Sequence, residues 1–382
     1  MAGAPPRPNV VFIMSDDHAY QAISAYGSPW IETPNIDRIA NEGIRFDQCY
    51  VADSICAPSR AAILTGKHSH THGVRDNYTE FDGDQWTMPK ALQEAGYQTA
   101  IVGKWHLKSE PTGFDHWDVL IGQGYYYRPK LRSREGQRQV DGYVTDITTD
   151  LAVRWLEGEG ETGRDPDKPF LLMIHHKAPH RPWDPAPRHL GAFEQSKLVE
   201  PETLFDEYKT RTSAPRDAEM RISQMRVDQD LKVWPHDNRH REWLYRHMSE
   251  EERSAWESQI DPRLAEFSSL KLKEPERTRW MWRHYLEDYL ACIKGVDESV
   301  GQVLDWLDDA GLSENTVVIY TSDQGFYLGE HGWFDKRFMY EQSLRTPMLI
   351  RWPSAIRSTD AMPRVERSIV SNIDVAPTFG II

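Results

Sequence analysis

The chain is poor in cysteine: Cys49, Cys56 and Cys292 are the only three in 382 residues. Three scattered thiols exclude a disulfide framework and a zinc knuckle. There is no apolar run of about 18 residues or more, which excludes a membrane-spanning helix. Positive charge is also in deficit, with 45 Lys and Arg against 59 Asp and Glu and a formal net charge of −14. A general nucleic-acid binder, which needs clustered cations, is therefore excluded. A cationic cleft for a small anion is not, because a local field can oppose the global one. Internal repeats and low-complexity tracts are lacking. The opening "MAGAPPRPNVVFIMSDDH" carries neither the basic region nor the apolar core of a secretory leader, so none is expected within these residues.

What is present is a globular composition, 39% hydrophobic and 27% charged, with 14 Trp and 16 Tyr to fill a core or face a sugar. "NVVFIMSDDH" is β-branched and apolar, then abruptly acidic, the pattern of a buried parallel strand with a polar carboxyl end. The plan repeats in "YQTAIVGKWHL", "KPFLLMIHHKAPH" and "NTVVIYTSDQG". Between them lie helical periods: "TPNIDRIANEGIRF", a helix from about Pro89 to Ala95, "DITTDLAVRWLEG" and the long "DYLACIKGVDESVGQVLDWLDDAGL". This alternation predicts an α/β fold with a large, mostly parallel sheet wrapped by helices. The site should lie at the strands' carboxyl ends, where Asp16-Asp17, Lys104 to His106, His175 to His180 and Asp323-Gln324 converge. From about Ala186 to Arg283 the chain turns charged and rich in Trp, with Ser249 as a helix cap. It reads as a helical insertion over the cleft within one domain.

Adjacent Asp16 and Asp17 repel unless a cation neutralises them. Carboxylate and amide oxygens suit a hard ion, calcium or magnesium, with Asp323 and Gln324 as a second pair. One such pair alone is more often a cap or a turn; two after apolar strands change that balance. Lys104 and His106 share a face if the strand continues so far, giving an anion clamp and a proton carrier. Among the imidazoles of "HHKAPHRP", His180 reads as an acid or anion binder, and His175 and His176 as strand-end packing. Cys56 has polar flanks, Asp53, Ser54, Ser59 and Arg60. As a nucleophile it would be helped by a helix N-terminus and by Arg60, both lowering its pKa. A packing thiol stays open beside that reading, and a thiolate is a poor ligand for a hard cation.

"CAPSRAAILTG", Cys56 to Gly66, resembles the signature of the sulfatase family, and "PNVVFIMSDDH", "GKWHL", "APHRP" and "SDQGFYLGEHGWFDKRFMYEQSLRTP" follow the family's other blocks in order. The resemblance runs from about residue 8 to 379. It implies the alkaline-phosphatase-like fold, and a formylglycine made from Cys56 by a maturation enzyme. It also implies one calcium ion, with magnesium the alternative, on Asp16, Asp17, Asp323, Gln324 and residue 56. By the same resemblance Arg60 would hold the hydrated aldehyde and Lys104 and Lys336 the sulfate oxygens. His106 would assist the diol proton, and His180 would protonate or orient the leaving alcohol. Gln324 departs from the Asn or His of many relatives while keeping an amide oxygen.

The blocks look most like bacterial carbohydrate sulfatases, N-acetylglucosamine-6-sulfatases of glycosaminoglycan and mucin breakdown above all. His331, Trp333 and Arg337 would then be candidate sugar contacts. Aryl or choline sulfate and phosphonate monoesters are the alternative substrates, and a silent relative that only binds sulfated glycans is the non-enzyme alternative. The resemblance also implies a periplasmic or secreted protein, with a cytoplasmic one the alternative, without fixing an oligomeric state. Relatives usually continue past the equivalent of "NIDVAPTFGII" into a small antiparallel subdomain, which is expected to be missing from this chain.

Overall fold

The computed structural model describes residues 7–234, 238–353, 355 and 364–380; the start and the last two residues read above lie outside them. Among the described residues ten strands form one sheet. They are β1 (Asn9–Ser15), β2 (Ile44–Phe46), β3 (Gln98–Lys104), β4 (His116–Leu120), β5 (Lys130–Ser133), β6 (Gly136–Gln139), β7 (Phe170–His175), β8 (Thr316–Ser322), β9 (Met348–Arg351) and β10 (Arg364–Glu366). Their order across the sheet is β10-β2-β9-β8-β1-β7-β3-β4-β5-β6. The middle five, β8 to β4, run parallel, while β9, β5 and β6 pair antiparallel. This is the alkaline-phosphatase-like α/β architecture implied above.

The four apolar runs form the four central strands, and every residue of β1, β7 and β8 is buried. Alternation sends Val11, Ile13, Leu172, Ile174, Val318 and Tyr320 to one core. Val10, Phe12, Leu171, Met173, Val317 and Ile319 go to the other, as a sheet covered on both faces requires. Five helices matter for the site: α1 (Pro34–Asn41), α2 (Cys56–Thr65), α3 (Val144–Leu156), α4 (Glu250–Leu270) and α5 (Glu276–Asp309). α5 has 34 residues, about 51 Å at helical rise, and buries Trp282, Tyr285, Tyr289 and Val296 on the first core. α2 lays Ala57, Ala61, Ile63 and Leu64 on the second and stops at Gly66, whose left-handed φ of 67° closes the last turn.

Two local expectations need correction. "EGIRF" is not the tail of the first helix: α1 ends at Asn41 and Ile44–Phe46 is β2. The third strand stops at Lys104 and His106 has φ 56°, so Lys104 and His106 do not share a strand face. In the charged stretch, Ser249 accepts from the Glu252 amide at 3.1 Å while Glu252 accepts from the Ser249 amide at 2.7 Å, a capping box that opens α4. Among the described residues no helix is long and apolar enough to cross a membrane.

Candidate active site

β8, β1, β7 and β3 are neighbours, so their carboxyl ends place Asp323-Gln324, Asp16-Asp17, the 175–180 turn and Lys104 side by side. Asp16, Asp17 and Asp323 each put a carboxylate oxygen within 4.8 Å of the others, all buried. Three charges of one sign in that space persist only beside cations. Lys104 pairs with Asp16, Lys336 with Asp17 at 2.5 Å and Arg60 with Asp323 at 3.0 Å. Lys336 enters from a short connection beyond β8, and its neighbours Asp335 and Arg337 both have left-handed φ, 74° and 91°. Asp17 is left-handed too, at 69°. Non-glycine residues in that region gather at sites that need an unusual backbone.

Cys56 is the first residue of α2 and fully buried. Its Sγ lies 3.5 Å from Asp16 Oδ1, 3.5 Å from the Gln324 amide nitrogen and 3.4 Å from Lys336 Nζ. The surroundings are polar, which argues against a packing thiol. They do not make a thiolate, however. Burial and the Asp16 charge push the thiol up to about 12, against the pull of Lys336 and Lys104. The expected lowering by the helix end and Arg60 is thus overturned: desolvation outweighs both, and the Arg60 guanidinium is turned onto Asp323 Oδ2 and the Lys104 carbonyl.

The carboxylates split in the same way. Burial lifts Asp323 to about 7, with the Asp16 charge adding and Arg60 opposing. Burial also lifts Asp16, but Lys104, His180 and Arg60 outweigh it and hold that group low. Burial raises Asp17 despite Lys336. A proton shared over this cluster is what a cation displaces. Gln324 donates its amide N–H to Asp17 at 2.5 Å, while its carbonyl oxygen Oε1 is buried with no hydrogen-bond partner among the described residues. Three carboxylates and an orphaned amide oxygen are the ligand set of a hard divalent cation, so the residues fit such an ion.

His180 presents Nε2 to Asp17 Oδ2 at 3.8 Å, and its Nδ1 faces the Arg181 carbonyl at 2.7 Å. Burial drives its pKa well down, with Lys104, Lys336 and Lys177 adding to the effect. His106 is pushed to about 2 by burial and by Lys104, and its Nδ1 is buried without a hydrogen-bond partner among the described residues. His175 and His176 are buried, with ring nitrogens beside the Lys104 carbonyl and the Ser299 hydroxyl. Arg337 is half exposed and paired with Asp335. His331 is bonded to Asp206 at 3.0 Å, and Trp333 is buried in an aromatic cluster with Tyr208 and Tyr340. Sequence reasoning missed Gln123, whose side-chain oxygen accepts from Lys104 Nζ. Its signal was the run Gly122-Gln123-Gly124, where both glycines have positive φ and aim a polar side chain from a tight turn.

The Sulfatase family model matches residues 8–381. The chain is 49% identical over 384 residues to an N-acetylglucosamine-6-O-sulfatase of Bacteroides thetaiotaomicron, covering 98% of this chain and 67% of that protein. It is 27% identical to the human N-acetylglucosamine-6-sulfatase, covering 99% of this chain and 61% of that one. The chain thus spans about two thirds or less of these relatives. A solved structure of a protein in complex with its substrate D-glucosamine-2-N,6-O-disulfate superposes with a TM-score of 0.93 at 49% identity. That match covers 98% of this chain and 76% of the other.

Proposed function

The chain belongs to the sulfatase family, and on that premise we propose that it hydrolyses sulfate esters of carbohydrates, 6-O-sulfated N-acetylglucosamine first among them, releasing inorganic sulfate. The observation that carries this is the cluster beside Cys56: Asp16 and Lys336 touch its sulfur, and Asp16 gathers with Asp17 and Asp323 into one buried carboxylate group paired with Lys104, Lys336 and Arg60. Sulfatases depend on formylglycine and a metal; here calcium would be held by Asp16, Asp17, Asp323, Gln324 and residue 56, where it supplies positive charge to a sulfuryl group. Formylglycine at position 56 supplies, as its hydrate, an oxygen nucleophile in place of the thiol. The charge count agrees. Asp16, Asp17 and Asp323 cancel Arg60, Lys104 and Lys336, so a divalent ion leaves the site positive and ready for an anion.

The chain's own residues then divide the work. Lys104 and Lys336 hold the sulfate oxygens and stabilise the charge spread over them in transfer. Arg60, turned along Asp323, orients residue 56. His106 would assist the diol proton, its imidazole kept neutral by burial and by Lys104 and freed to accept once the substrate's charge offsets that ammonium. His180, with Nδ1 facing a backbone carbonyl, offers Nε2 to the leaving alcohol oxygen. The substrate's negative charge beside Lys104 and Lys336 offsets the ammonium groups that depress that imidazolium. The 49% identity to a 6-O-sulfatase supports the sugar, and Arg337 at the exposed rim is a candidate contact to it. The stretch 186–283 is part of the same catalytic domain and borders the cleft beside His180. Free sulfate is to be measured across a panel of defined sulfated sugars. Release from 6-sulfated N-acetylglucosamine supports the assignment, release only from aryl sulfates removes the carbohydrate part, and binding without release leaves a glycan-binding relative.

A further inference from the structure

The aim of His180 is set by residues outside the strand-end cluster. Its ring is oriented through Nδ1, 2.7 Å from the Arg181 carbonyl, and its own carbonyl accepts the Tyr126 hydroxyl at 2.6 Å. An imidazole that gives its Nδ1–H to a backbone carbonyl keeps Nε2 for the cleft, so the position of that carbonyl fixes tautomer and direction together. The peptide carrying it is gripped from both sides. The Arg181 guanidinium holds both oxygens of Asp230, at 2.5 and 2.8 Å. The next two carbonyls, of Pro182 and Trp183, accept from Lys232 Nζ at 2.7 and 2.8 Å.

Asp230 and Lys232 are both fully buried, two residues apart in the charged stretch. A buried ammonium persists only when its protons are used, and here two of its partners are carbonyls of the His180 turn. Its anchor is Asp288 of α5 at 3.0 Å. Asp288 is also held by Arg263 of α4, at 2.8 and 2.9 Å, so it stays paired without Lys232. Trp183 and Lys232, at the two ends of this grip, are left-handed with φ 58° and 55°, a backbone shape held by its surroundings.

We propose that Lys232, together with Asp230, is a positioning residue for His180, pinning the 181–183 carbonyls so that the imidazole keeps its Nδ1–H tautomer and its aim at the leaving oxygen. The role in turnover rests on the assignment of His180 above; the effect on the tautomer does not. The test uses the matured, metal-loaded full chain. Long-range proton–nitrogen spectra report the tautomer of each histidine, and His180→Gln identifies the signal. Lys232→Met should turn a single Nδ1–H species into a mixture. It should also lower kcat on 6-sulfated N-acetylglucosamine roughly 10- to 100-fold with KM within about twofold, the size expected when a histidine's outer partner is lost. Lys232→Arg should restore most of both. A folded Lys232→Met protein that keeps the pure tautomer overturns the proposal, whatever its kcat, because any loss would then be structural. Should Lys232→Met not fold, Asp230→Asn decides by the same two readouts. If the wild type releases no sulfate, or His180→Gln is fully active, the functional assignment fails, while the tautomer comparison still judges the grip.

Discussion

Burial and the Asp16 charge push the Cys56 thiol up to about 12, which keeps it protonated near pH 7 and favours an oxygen nucleophile at position 56 over a thiolate. Cys56→Ala should therefore lower sulfate release roughly a thousandfold or more, while iodoacetamide leaves the matured enzyme active. Inactivation by that reagent would restore the thiolate reading. The same low-dielectric pocket governs the cation. Asp323, raised to about 7, carries its proton below that pH, and calcium must displace it. Calcium affinity should accordingly weaken as pH falls below about 7, approaching tenfold per pH unit. Calorimetry in two buffers of different ionisation heat should show proton release on binding. An affinity that is flat between pH 5 and 7 would place the ion elsewhere. EDTA should slow turnover, and calcium restore it.

Strands were the most legible elements because burial on both faces forces a continuous apolar run, and the abrupt acid or Lys-x-His marks where the sheet ends. From those ends the carboxylate cluster could be placed before any geometry was known. The extent of β3 was not legible: nothing in "GKWHL" says that the strand stops at Lys104 and that His106 turns left-handed. The charge balance on Cys56 was likewise hidden, since Asp16 and Lys336 reach it from 40 and 280 residues away. The grip on His180 is the extreme case, because Arg181, Asp230, Lys232, Arg263 and Asp288 look like ordinary surface charges until folding removes the water. The capping box of α4 was readable, being local. What holds that helix down was less so. Trp256 is fully buried and donates its indole N–H to the Tyr127 hydroxyl at 2.7 Å. Trp256→Ala should cost about 3 to 5 kcal/mol, measured by urea unfolding. A loss under about 1 kcal/mol would mean that the stretch is only loosely attached.

At the scale of the whole molecule, the net charge of −14 does not bar an anion from the proposed site: Arg60, Lys104 and Lys336 balance the three carboxylates buried beside them, so a divalent ion there would tip the local charge positive. Burial on this scale also makes stability depend on pH. His18 and His176 are fully buried and held to about 4 by desolvation, each beside a hydroxyl, Tyr320 at 2.6 Å and Ser299 at 3.1 Å. Unfolded histidine titrates near 6.5, so the unfolded chain binds the extra protons. Their contribution is complete above about 6.5 and is lost as pH falls toward 4, up to about 3 kcal/mol each. Asp297, raised to about 6 chiefly by burial, works the other way, since the folded state then holds the proton and gains as pH falls. The histidine share must therefore be read by difference. Because Asp323, Asp297 and His18 are common to both proteins, urea unfolding between pH 6.5 and 4 should show wild type losing stability faster than His176→Gln, by up to about 1.4 kcal/mol per pH unit. Parallel curves for the two proteins would show that His176 is already charged in the fold, and that the interior beneath the 175–180 turn is wetter than its packing implies.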